Sequence, residues 1–233
     1  MPPDPTNGLL WYIAFLYSTT CHESAHALAA LKLGDDTAAR GGQVSLNPWP
    51  HLRRAPVGMV VVPVICWIAG GWIIGWASTP FDPEWARRFP RRMALMALAG
   101  PAANLALLVI AAALLRLGLE WHQFTVPYGV APSRIVDVAA AGLFPFAGHL
   151  LSIVFSLNLL LLVFNLLPVP PLDGSSLPLL LLPAAAADQY FSLVRSPVVR
   201  TIGLLVIFRS SGLWFGPLLR HAASLLFLGL NPT

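Results

Sequence analysis

Residues 20–30 read TCHESAHALAA, which sets two histidines and a glutamate in an apolar run from Leu9 to Leu31. Without those three side chains the run would be a plain membrane span, for which about 20 apolar residues suffice. A charged side chain near the bilayer centre costs about 2.5–3.5 kcal/mol on insertion scales, so ionisable residues at that depth serve a function. His22 and His26 are four positions apart and share one helix face, with Cβ atoms about 5–6 Å apart. That spacing lets two imidazoles grip one metal ion, with Glu23 beside them as general base, the H-E-x-x-H arrangement of zinc peptidases. With six His and three Glu in 233 positions, chance supplies about 0.002 such motifs.

The composition agrees with a membrane setting. The chain is 57% hydrophobic and only 10% charged, with a mean hydropathy of +0.71, whereas soluble domains carry about 25% charged residues. Its 22 prolines and 18 glycines are separated by long apolar runs, and membrane helices tolerate such breakers where neighbours satisfy the freed backbone groups. The net charge of +4 suits anionic lipid headgroups. The arginines are scattered in short pairs rather than gathered on one basic face, which argues against nucleic acid. Cys21 and Cys66 both lie in apolar segments and imply no disulfide framework. The opening MPPDPTNG has no basic region of the signal-peptide kind, so the first span is expected to be retained.

Four segments are long enough to span, 9–31, 57–78, 93–117 and 146–168. Residues 176–187 are apolar but short and proline-bearing, as in an interfacial or re-entrant piece. Residues 198–230 read as one bent span or two short helices. The expected fold is an all-α polytopic membrane protein of five to six transmembrane helices, with a short re-entrant or β-hairpin segment after the first. GQVSL (42–46) is the candidate strand, followed by an Asn-Pro turn. Trp121, Phe124 and Tyr128 are expected in an interfacial aromatic belt. The loop 80–92 holds four arginines and the loop 32–56 holds Lys32, Arg40, Arg53 and Arg54. With 57–78 as a span these loops fall on opposite sides, and the Lys/Arg bias nearly cancels.

A catalytic zinc takes three protein ligands and an open position for water. No further histidine follows His26 at close spacing. Asp35 and Asp36 lie beyond the helix end, about 14 Å along the axis from His26. His51 follows a turn and can fold back. Asp173, in FNLLPVPPLDGSS, is the best candidate: Pro168, Pro170 and Pro171 break the preceding span, and unwound backbone at membrane depth is tolerated only where it is buried in protein or lines a wet cavity.

These blocks resemble the site-2 protease family of intramembrane zinc metalloproteases, in its compact form without an added PDZ or CBS domain. The resemblance is carried by HESAHALAALKLGDDTAARGGQVSLNP with PH ending at His51, by GWASTPFDPEWARRFPRRMALMALAGPAANL and by FNLLPVPPLDGS. It implies that His22, His26 and Asp173 hold zinc and that Glu23 activates water. Asn165 and Pro168 match the family's N-x-x-P element, which by the resemblance would shape the substrate approach or assist at the carbonyl. Asn104 falls on the family's other asparagine-bearing span. Ser78 replaces a basic residue common in compact members, and no arginine follows Gly174.

The function expected is an intramembrane zinc endopeptidase cutting transmembrane or membrane-proximal segments of membrane proteins, in the bacterial cytoplasmic membrane. The expected organisation is one membrane-embedded domain over 1–233, with a core at 9–175 and a helical part at 176–233. The alternative is a non-catalytic metal-binding membrane protein, either a transporter or an inactive homologue that binds clients. Glu23 separates the two, since neither transport nor structural metal binding needs a base there. Asn158 and Asn165, seven apart, share a helix face suited to interhelical hydrogen bonds, worth about 0.6 kcal/mol each in membranes. His51 is a candidate for supporting the site or gating substrate, while His122, His149 and His221 suit interfacial or packing roles.

Overall fold

A computed structural model describes residues 4–70, 73–138 and 142–229. Helix α1 (Pro5–Leu33) begins where the Asp4 side chain accepts the Thr6 N–H and proline fills the first turn. It stops at Gly34, whose φ of 102° is open to glycine. There the N–H groups of Gly34 and Asp35 return to the Leu31 and Ala30 carbonyls. Two short helices follow, α2 (Thr37–Arg40) and α3 (Pro48–Arg54), the latter capped by Asn47. A widened turn, Val57–Val61, leads into α4 (Val62–Gly70), and this stretch meets α3 at 109°.

The chain then comes back. Residues 73–82 form no regular element and run beside the helix they follow. Trp76 N–H donates to the Gly58 carbonyl at 3.1 Å. Gly75 lies so close to that carbonyl that a Cβ would sit 2.2 Å from it. Asp82 N–H donates to the Asp35 carboxylate at 2.9 Å, and Arg92 donates to the Leu33 carbonyl at 3.0 Å. The segment therefore enters and leaves at the same end of α1. The expected span over 57–78 is corrected to a re-entrant pair, a helix to Gly70 and an extended return. The loops 32–56 and 80–92 lie at one end rather than on opposite sides.

Helices α5 (Pro83–Arg88) and α6 (Pro90–Glu120) follow, then an antiparallel pair, β1 (Phe124–Thr125) and β2 (Asp137–Val138), with Phe124 opposite Val138. Helix α7 (Phe144–Leu166), a 3₁₀ segment (Asp173–Leu180), α8 (Ala184–Arg195) and α9 (Pro197–Leu226) complete the chain. Helices α6, α7 and α9 are long and apolar enough to cross a membrane, and the bent pair makes a fourth only if it counts as one span. Five to six spans are thus not confirmed among the described residues. The 198–230 stretch is one helix to Leu226 despite Pro217.

Two smaller expectations also change. GQVSL forms bends rather than a strand: Ser45 Oγ accepts Asn47 N–H locally at 3.0 Å, and Gln43 Nε2 donates to the distant Ser78 carbonyl. The strands lie instead at 124–138. Phe124 is buried beneath α6 rather than set in an interfacial belt, since Gly118 leaves room for its ring where a Cβ would sit 2.2 Å away. Trp121 and Tyr128 are exposed.

Helices α1, α6 and α7 pack together, with Phe15, Ile153 and Leu157 buried between α1 and α7 and Leu115, Ile135 and Phe155 under the hairpin. A third cluster joins Ala30, Trp85, Ala94 and Phe191, tying α8 to the C-terminal end of α1.

Candidate metal centre

The polar residues of α1 face inward. Ser18, Thr20, His22, Glu23 and His26 are all less than 9% exposed, although they sit among lipid-compatible neighbours. The small-residue run ALAGPAAN of α6 lets that helix approach the histidines. Gly100 faces both rings, and a Cβ there would lie 2.3 Å from His26 Nε2 and 2.6 Å from His22 Nε2. Gly100 is a site residue that sequence reasoning read only as close packing; its position one turn before Asn104 was the available signal.

The third element arrives from beyond α7. After Leu166 the proline-rich turn feeds a 3₁₀ segment that starts with Asp173. Gly174 seats this segment on the end of α7, where a Cβ would come within 2.3–2.4 Å of the Leu166 and Leu167 carbonyls. Asp173 Oδ2 is thereby placed 3.1 Å from His22 Nε2 and 3.3 Å from His26 Nε2, and the two Nε2 atoms are 3.0 Å apart. Among the described residues this is the one group of three or more such side chains able to share a metal ion.

The hydrogen bonds around the trio fix what it can do. His26 Nδ1 meets the Met96 carbonyl at 2.8 Å and His22 Nδ1 meets Asn104 Oδ1 at 2.6 Å. Oxygen acceptors at both Nδ1 positions put the ring hydrogens there and leave both Nε2 atoms as bare lone pairs. Asp173 Oδ2 is buried and receives no hydrogen bond. Three lone-pair atoms facing one another repel unless a cation lies between them. At metal–ligand distances of about 2.0–2.1 Å, tetrahedral zinc separates its ligands by roughly 3.3–3.4 Å. The observed triangle of 3.0–3.3 Å fits one face of that tetrahedron and leaves the fourth position open.

Glu23 is oriented from the returning segment, as Thr79 Oγ1 donates to Glu23 Oε2 at 2.7 Å. Thr79 had no sequence signal, since nothing local marks residues 73–82 as returning to α1. His51 is buried but stands apart from the trio, with Nε2 3.3 Å from Ser24 Oγ and 3.1 Å from the Ser45 carbonyl. Asp35 does not approach the trio either. It accepts from Thr37 and from the Asp82 N–H and so pins the return strand to α1. Asn165 is half-buried and Pro168 exposed, both in the last turn of α7 or just after it. Asn158, read as an interhelical contact, bonds Asn104 and Ser18 with no exposed surface of its own.

Two buried histidines and a partly buried carboxylate, brought together among membrane-length helices, form a donor set that could hold one metal ion. The chain matches peptidase family M50 over residues 10–208 and belongs to that family. The resemblance to the site-2 protease family is borne out by this match. With its long apolar helices, the membership makes the chain an integral membrane protein.

The "Putative zinc metalloprotease YwhC" of Bacillus subtilis (strain 168) is 38% identical over 163 residues, covering 70% of this chain and 64% of that protein. The "Putative zinc metalloprotease Rip2" of Mycobacterium tuberculosis (strain ATCC 25618 / H37Rv) is 29% identical over 203 residues, covering 86% and 68%. The protein of that name in Mycolicibacterium smegmatis is 28% identical over 166 residues, covering 71% and 54%. The chain thus spans 54–68% of the length of these relatives. No solved structure matches it.

Proposed function

We propose that this chain is a zinc-dependent endopeptidase that hydrolyses peptide bonds in transmembrane or membrane-proximal segments of other membrane proteins. The observation that carries the reading is the convergence of His22 Nε2, His26 Nε2 and Asp173 Oδ2 within 4.8 Å of one another inside the bundle. These three residues would hold the ion. Zinc there would lower the pKa of a bound water to about 7 and would polarise a carbonyl.

The chain's own residues supply the rest. Glu23 accepts the proton of the attacking water and returns it to the leaving amine. Thr79 holds the Glu23 carboxylate in one direction. Asn165 and Pro168 border the approach of a substrate strand to Asp173. Helix α1 crosses the membrane with α6, α7 and α9, its polar side chains turned from lipid, and the membrane is the bacterial cytoplasmic one. The presence of Glu23 favours this reading over metal transport or client binding alone.

The test pairs metal analysis with cleavage of single-span test proteins, using wild type, Glu23→Gln and Asp173→Ala. Wild type is expected to hold about one zinc and to cut. Glu23→Gln keeps the zinc and loses the cutting, and Asp173→Ala loses both. A Glu23→Gln protein that still cuts would defeat the reading.

A further inference from the structure

We propose that Asn158 is a positioning residue that sets the ring tautomer of His22 through Asn104. The inference rests on the zinc reading above and assigns a role to an amide that the metal does not touch. It starts from a group whose chemistry is fixed. The Asn158 side chain lies 2.8 Å from the Val154 carbonyl, one turn back on α7, and 2.9 Å from Ser18 Oγ on α1. A backbone carbonyl only accepts, so the atom facing it is the amide nitrogen.

The remaining assignments follow in order. The Asn158 oxygen then points at Asn104 and accepts from its Nδ2 at 2.9 Å. The Asn104 oxygen in turn faces His22 Nδ1 at 2.6 Å. That oxygen requires a donor, so Nδ1 carries the hydrogen and Nε2 is free for the metal. Asn104 and Asn158 have no exposed surface and Ser18 has 3%, so water does not substitute for any link.

The two histidines are secured differently. His26 donates to the Met96 carbonyl, a main-chain group that cannot turn over. His22 depends on an amide, whose two ends are nearly isosteric. A flipped Asn104 would donate to Nδ1, move the ring hydrogen to Nε2 and block ligation there. Asn158 is the group that holds Asn104 against that flip. Partners one step behind a ligand, as Asn104 is, typically change metal affinity 10–100-fold when lost, and Asn158 acts through that partner.

The experiment measures zinc affinity by chelator competition on the full-length protein in detergent, with helicity recorded for each variant. Asn158→Leu should weaken zinc binding about tenfold, the low end for a ligand's direct partners. The ring tautomer of His22 is read by 15N NMR of the metal-free protein: wild type should carry the ring hydrogen on Nδ1, and Asn158→Leu should move part of it to Nε2. A loss of affinity with the Nδ1 tautomer unchanged would mean simple packing and would overturn the proposal, as would no loss of affinity at all. A wild type that binds no zinc would overturn the proposed function itself, and the proposal with it.

Discussion

Thr79 Oγ1 stands 2.7 Å from Glu23 Oε2 and 2.9 Å from the carbonyl oxygen of the same glutamate. One hydroxyl hydrogen is shared between a carboxylate and the main chain that carries it, so the return strand fixes the direction of the base relative to its own helix. Thr79→Val keeps the shape and deletes that hydroxyl. It should lower kcat about tenfold, roughly 1.4 kcal/mol and near the low end for a hydrogen bond to a charged group. Zinc content should not change, and Thr79→Ser should recover most of the rate. Full activity in Thr79→Val would show that Glu23 needs no such support.

Gly100 leaves no room for a methyl group against the two imidazoles, with three ring atoms within 2.3–2.6 Å of where a Cβ would lie. Alanine is favoured over glycine inside a helix by about 0.8–1.0 kcal/mol, so Gly100→Ala should leave α6 helical while forcing the rings apart. Zinc affinity is expected to fall more than about hundredfold. Gly212→Ala on α9, where a Cβ meets nothing within 4 Å, is the matched control and should bind zinc as wild type does. Equal zinc affinity in the two variants would contradict the packing described here.

Removing the metal leaves three lone-pair atoms turned on one another in a buried space. Zinc at about 100 times its Kd should stabilise the fold by about 2.7 kcal/mol. For a chain of this size that corresponds to a rise in melting temperature of roughly 5–11 °C. Glu23→Gln should show the same rise, and Asp173→Ala should show none. A melting temperature indifferent to chelator in wild type would remove the argument from lone-pair convergence.

Much of the site was legible because it is written in local spacing. His22 and His26 share a face by helix period alone, and Asp173 is marked by the prolines that unwind the chain before it. The apolar runs that become α6 and α7 were found by length. Residues 57–78 were misread because an apolar run that turns back looks the same, residue by residue, as one that crosses. Only Gly58, Gly75 and Asp35 show the return, through contacts far apart in sequence. Thr79 and the site role of Gly100 were hidden for the same reason, since their partners lie 56 and 74–78 positions away, while Asn158 was read as an interhelical contact whose partner, 54 positions off, stayed open. Phe124 was misplaced because an aromatic beside a loop suits an interface and a core equally, and Gly118 decides between them.

The return of residues 73–82 also sets the sidedness of the molecule. Stretches 32–56, 80–92 and 195–200 hold four, four and two of the fourteen Lys and Arg residues, and contacts gather all three at the C-terminal end of α1. The far end, where His149 meets Asn7 and Arg116 meets the Leu226 carbonyl, carries three, Arg116, Arg134 and Arg220. Basic residues favour the cytoplasmic side, which predicts that the C-terminal end of α1 faces the cytosol and the hairpin faces outward. In intact cells, with Cys21 and Cys66 replaced, an impermeant maleimide should label Tyr128→Cys and spare Trp49→Cys; the reverse pattern would invert the assignment. On the proposed function, that orientation would deliver fragments cut near Asp173 into the cell interior, the compartment where a freed domain can reach other soluble proteins.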